Sequence, residues 1–222
     1  MSESQTKSEQ LIISFLSIRK AIGILGIALP FALLFGSLLI DNCDQIQGSI
    51  SAYYYTKVRN VFVGILCAVA FYLFSYKGYD KKDRILSALC GLSSLGVAFL
   101  PTSVDPPLSN CVNQLVADSM VSNLHFLSAG VFFSLSAYIS IKQFTLGSSN
   151  PTPQKLKRNS VFRWCGYIMI LCLVLIGLYA GFFQERYPDI QTLKPVFWLE
   201  TFALWAYGTS WLVKGEALLA DA

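Results

Sequence analysis

Seven residues carry groups that could act together chemically: Glu200, His125, Asn60, Arg59, Thr102, Ser49 and Ser51. A carboxylate, an imidazole and a guanidinium can hold a polar head group. A serine hydroxyl beside an imidazole can serve as an activated nucleophile. Three readings of the set stay open. In the first, Glu200 pairs with Arg59 or His125 and locks helices together. In the second, the residues line a ligand pocket. In the third, Ser49 or Ser51 is a nucleophile, with His125 as base and Asp105 as its orienting acid. Spacing gives the third no support, because neither a G-x-S-x-G elbow nor a P-loop is present. The single histidine excludes a multi-histidine metal centre, and no two cysteines have C-x-x-C spacing. No metal or cofactor is therefore expected, and the catalytic residues of any enzyme reading remain unknown.

The elements that must position these residues are apolar stretches of membrane-spanning length. Hydrophobic residues make up 54% of the 222 residues and charged residues only 14%, against about 25% charged in a soluble domain. About 20 apolar residues cross a ~30 Å hydrocarbon core, and only a helix satisfies its own backbone there. Six such stretches are expected at 21–40, 60–76, 85–101, 121–141, 164–183 and 195–213. The predicted fold is all-α: one six-helix transmembrane domain over 1–222. Polar residues Ser2 to Gln10 open the chain, and no A-x-A-like site follows the first apolar run. That run is expected to stay as the first helix. Pro30 falls mid-span, where neighbouring helices can re-satisfy a freed carbonyl.

All but four of the 17 Lys and Arg residues fall on one side of this arrangement; the exceptions are Lys57, Arg59, Arg186 and Lys194. The positive-inside rule then places both termini in the cytoplasm. The net charge of +4 belongs to span ends, so no nucleic-acid partner is expected. Cys43 and Cys111 fall in non-cytoplasmic loops, where an oxidising compartment permits a disulfide between them. Ser87/Gly91 and Gly177/Gly181 are small-xxx-small pairs, suited to close packing within the chain or to a homo-oligomer through Gly177 and Gly181. Along the fourth span His125, Ser128, Phe132, Ser136 and Ser140 share one helical face, which should point into the bundle. With that orientation Asn60, Arg59, Thr102, His125 and Glu200 lie at similar depth in the outer leaflet. They outline a pocket there for a membrane lipid or other amphiphile. Tyr53 to Tyr55 precede the second span, as an interfacial belt or as a lid with Ser49 and Ser51 reaching a head group.

Several short elements resemble the Frag–DRAM–Sfk group of six-helix membrane proteins and bacterial families of the same layout. They are Ser49-Ile50-Ser51 before the aromatic cluster, Val61-Phe-Val-Gly64, Tyr76-Lys-Gly-Tyr-Asp80, Pro101-Thr102 and the His125 start of span four. The resemblance implies a role in lipid handling or sensing. The chain has short loops and lacks an N-x-[ST] sequon (Asn150 is followed by Pro), which suits a bacterial inner-membrane protein.

Overall fold

The computed structural model describes residues 3–78, 80–103, 111–112, 118–147 and 150–220, with the side chains of 3–14 not included. Asp105 lies outside the described residues. Among them the chain is all-α, with no strand. Helix α1 runs Glu3–Asp41, α2 Arg59–Ser75, α3 Lys81–Phe99, α4 Ser119–Tyr138, α5 Pro153–Leu178 and α6 Pro195–Lys214.

Local chemistry sets most of these ends. Asp80 accepts from the Asp83 N–H at 2.8 Å and starts α3. Asp118 accepts from the Met120 N–H at 3.1 Å and starts α4, and Thr152 caps α5 through the Lys155 N–H at 3.1 Å. Each of these side chains satisfies one of the orphan donors of a first turn. Pro153 and Pro195 occupy first-turn positions, where the missing N–H has no cost. One π-helical turn extends α4 through Ile139–Gln143, and another extends α5 through Tyr179–Phe183. Pro30 is accommodated inside α1 without ending it.

Among the described residues three stretches are long and apolar enough to cross a membrane: Phe15–Asp41, Ser119–Gln143 and Pro153–Phe183. Arg59–Ser75 is a shorter apolar helix. The first stretch starts before residue 21, where the sequence suggested its start, because the helix continues unbroken through Arg19 and Lys20. Helices α3 and α6 have similar lengths, 19 and 20 residues. They are less apolar, since α3 opens on Lys81, Lys82, Asp83 and Arg84 and α6 holds Glu200. Large apolar side chains face outwards, among them Leu39 (78% exposed), Phe71 (71%) and Phe182 (69%). Such a surface suits lipid, as an integral membrane protein requires.

Each helix packs on its neighbours in the chain, and α6 returns to α1, so the six form a closed ring. Two apolar cores fill it. One, around Tyr76, Phe144, Phe162 and Trp211, lies toward the C-terminal ends of α2 and α6. The other, around Leu33, Tyr53, Val58, Phe62 and Phe197, lies at the opposite end, beneath the α1–α2 connection. Serine hydroxyls join the helices across the ring. Ser94 donates to the Leu66 carbonyl at 3.0 Å, Ser87 to Leu73 at 2.9 Å and Ser140 to Phe162 at 2.8 Å. In membrane proteins such bonds contribute about 0.6 kcal/mol each on average.

Small residues also set how closely helices approach. A Cβ at Gly208 of α6 would stand 2.6 Å from the Gly23 carbonyl oxygen of α1, so these two backbones touch. Gly91 meets Ala70 and Phe74 of α2 in the same manner. Gly177 and Gly181 differ: a Cβ at either meets nothing within 4 Å. Packing within the chain, one of the two roles open to that pair, is therefore not what they do here. Cys43 and Cys111 form a disulfide, with Cα atoms 5.9 Å apart, that ties the α1–α2 connection to the α3–α4 connection.

Candidate functional site

The site is built on the α1–α2 connection. Ser49 Oγ accepts the Ala52 N–H at 3.0 Å and initiates a single 3-10 turn, Ser51–Tyr55. Thr56 closes it by donating to the Tyr53 carbonyl at 2.8 Å. Every residue of the turn is buried. Two contacts pin it to the ring and a third braces it within the connection. The Tyr55 hydroxyl donates to the Thr102 carbonyl at 2.6 Å, beyond the end of α3. The Phe197 N–H of α6 donates to the Gly48 carbonyl at 3.1 Å. The Tyr53 phenol lies 3.5 Å from the Gln47 N–H, and burial pushes its pKa up to about 12. That phenol stays neutral at ordinary pH and acts only as a hydrogen-bonding group.

His125 and Glu200 meet at Ser51. His125 is 2% exposed. Its Nδ1 lies 2.7 Å from the Leu100 carbonyl and its Nε2 lies 2.9 Å from Ser51 Oγ. A carbonyl only accepts, so in the neutral ring Nδ1 carries the proton and Nε2 accepts from the Ser51 hydroxyl. This tautomer is fixed by the backbone and leaves a basic nitrogen facing a hydroxyl. From α6, the Glu200 carboxylate accepts the Ile50 N–H at 2.5 Å, and the Ser51 N–H is directed at it as well. Serine 51 thus touches both: its hydroxyl meets the imidazole and its backbone meets the carboxylate.

A cavity lies directly under this cluster, inside the ring. It holds about 420 Å³ of space not filled by protein atoms. Leu29, Phe62, Leu66, Phe132, Phe133 and Leu204 form much of its wall, with Ile50, Ser51, Ser94 and Glu200 as polar or backbone contributors. Five of the six helices reach it; α5 does not.

The seven sequence-derived residues therefore divide. Ser51 and Glu200 line the cavity, and His125 joins them through its contact with Ser51 Oγ. Ser49 instead accepts the Ala52 N–H at the start of the turn. Thr102 is buried and contributes its carbonyl to Tyr55, while its own hydroxyl turns to the Ser103 carbonyl at 3.2 Å. Arg59 is exposed and lies over the Tyr54 ring, 4.0 Å from its centroid, with Nη2 donating to the Tyr54 hydroxyl. Asn60 is exposed on the first turn of α2. Among the described residues Glu200 has no ion pair, either with Arg59 or with His125. The serine stripe of α4 does face inwards at His125, Phe132, Ser136 and Ser140. Among the described residues no cluster of three or more His, Cys, Asp or Glu could hold a metal ion.

Two parts of the site escape sequence reasoning because they are backbone: the Leu100 carbonyl that orients His125, and the Ile50 N–H on Glu200. Phe132 was visible in the α4 periodicity, but the aromatic wall it shares with Phe62 and Phe133 needs the ring to close. No family model matches the chain, and neither does a curated protein or a solved structure.

Proposed function

We propose that the chain is a six-span integral membrane protein of a bacterial inner membrane that takes a lipid or other amphiphile into the ring cavity. Both termini would lie in the cytoplasm. The apolar tail would occupy the cavity, and the head group would meet Glu200, Ser51 and His125 in the outer leaflet. The role is lipid handling or sensing, in keeping with the resemblance to the Frag–DRAM–Sfk group. One observation carries the reading: an apolar cavity lined by five helices has a carboxylate and a hydroxyl in its wall, and an imidazole is hydrogen-bonded to that hydroxyl. Intramembrane ionisable groups are costly and are most often functional. Native mass spectrometry of the gently purified protein, with lipid extraction from the same sample, tests it. A stoichiometric, chemically defined amphiphile is expected. A bare protein, or a mixture matching the bulk membrane, would contradict the reading and leave Glu200 as a helix lock.

A second reading, an intramembrane hydrolase or acyltransferase, is favoured by one specific contact. Ser51 Oγ lies within hydrogen-bond distance of a histidine nitrogen whose partner nitrogen is held by the Leu100 carbonyl. Nucleophile, base and orienting group stand in the order that acyl transfer uses. Ser51 Oγ would attack an ester carbonyl and pass its proton to His125 Nε2. The leaving alcohol would take that proton, and water or a second alcohol would release the acyl group. A fluorophosphonate probe should then add its mass to the Ser51 peptide, and His125→Gln should slow that labelling by about 10²-fold or more. Labelling that is absent, or that ignores His125, would remove the enzyme reading.

A further inference from the structure

Glu200 brings a negative group to an otherwise apolar cavity, and the described residues supply no positive partner for it. Among the described residues its contacts are neutral backbone donors, from Ile50 and Ser51. The two cationic candidates nearby are committed elsewhere. His125 donates through Nδ1 to Leu100 and accepts at Nε2 from Ser51, so it presents no proton to the carboxylate. Arg59 lies over the Tyr54 ring on the exposed side of the turn. Glu200 still lines the cavity and is only partly buried, so a bound molecule can reach it. Phe62, Phe132 and Phe133 stand on the same wall, and aromatic faces also attract cations.

We infer that the cavity selects an amphiphile with a cationic, amine-type head group, Glu200 being its counter-ion. The inference rests on the amphiphile-binding reading and adds the sign of the ligand's charge. A charged head placed against an uncompensated carboxylate in a low-dielectric site gains far more than it would in water. A neutral hydroxyl head gains only a hydrogen bond to the carboxylate, and an anionic one is repelled.

The test is equilibrium binding to the full chain in lipid nanodiscs, with empty nanodiscs subtracted. Three probes share one tail: dodecyltrimethylammonium, dodecanol and dodecanoate. Dodecyltrimethylammonium should bind at least about tenfold more tightly than dodecanol, and dodecanoate more weakly than either. Glu200→Gln should bring the first two within about twofold of each other. The wild-type probe series needs no variant, so it decides the matter even if Glu200→Gln folds poorly. Equal binding of dodecyltrimethylammonium and dodecanol would overturn the cationic preference while leaving the amphiphile cavity standing. Saturable binding of none of the three would overturn both.

Discussion

Ser51, His125 and Leu100 form a chain of two hydrogen bonds that crosses from the α1–α2 connection to α4 and the end of α3. The imidazole is buried, so removing it leaves the Leu100 carbonyl and the Ser51 hydroxyl without partners. A buried polar group left unsatisfied costs about 1–3 kcal/mol. His125→Ala should therefore destabilise the fold by about that much, beyond the loss of packing. Ser51→Ala, which strands only one ring nitrogen, should lie at the lower end of the same range. Denaturant or thermal unfolding in detergent measures both. A His125→Ala variant as stable as the parent would show that the imidazole does not hold the turn in place. The residue types of this site were legible in the sequence because ionisable groups are rare in apolar stretches. Which of them converge was not. Arg59, Asn60, His125 and Glu200 all lie at the same end of the bundle, but Arg59 and Asn60 fall on the exposed face of α2's first turn. A linear reading gives depth along a helix more readily than direction around it.

Among the helices, α1 and α6 show how small residues set an interface. The Gly23 and Gly208 backbones approach so closely that a methyl group on Gly208 would stand 2.6 Å from the Gly23 oxygen and 2.6 Å from Ile27 Cγ1. Overpacking a close contact typically costs about 1–3 kcal/mol. Gly208→Ala should lower stability by that amount, read as a fall in the thermal midpoint. Gly177→Ala on α5 meets only open space and should change stability by less than about 0.5 kcal/mol beyond the gain in helix propensity. Equal effects at the two positions would contradict the packing described. The Gly177/Gly181 motif was the more conspicuous in the sequence, yet the α1–α6 contact pairs glycines from opposite ends of the chain. A local motif marks where close approach is possible, and only the ring closure decides where it happens. Helix existence was legible from apolar runs, whereas the caps Asp80 and Asp118 emerge only in the structure. The 3-10 turn at Ser51–Tyr55 was not, because Ser49, Tyr53 and Thr56 combine into a turn only once the segment is buried under α6.

For the whole molecule, the ring and its covering connections behave as one unit. The Cys43–Cys111 disulfide closes a loop with a sequence separation of 68 and fastens the α3–α4 connection beside the site. Its loss through Cys43→Ser should cost about 2–4 kcal/mol, measured by denaturant unfolding under non-reducing conditions. Four cysteines remain free, at 67, 90, 165 and 172, so the expected thiol count is four in the native protein and six after reduction. A stability unchanged by Cys43→Ser would mean that the connection is held by its other contacts. The central claim concerns the cavity, which the ring creates and no single helix contains. Ala129 lines it from α4, so Ala129→Phe should fill it while leaving the side chains of Ser51, His125 and Glu200 unsubstituted. The most direct measurement is the fraction of purified protein carrying an amphiphile, by native mass spectrometry, in wild type and Ala129→Phe side by side. The account predicts a defined adduct on the wild type and its loss, by about tenfold or more, on a variant that still unfolds cooperatively. An adduct retained undiminished on a folded Ala129→Phe protein would contradict it.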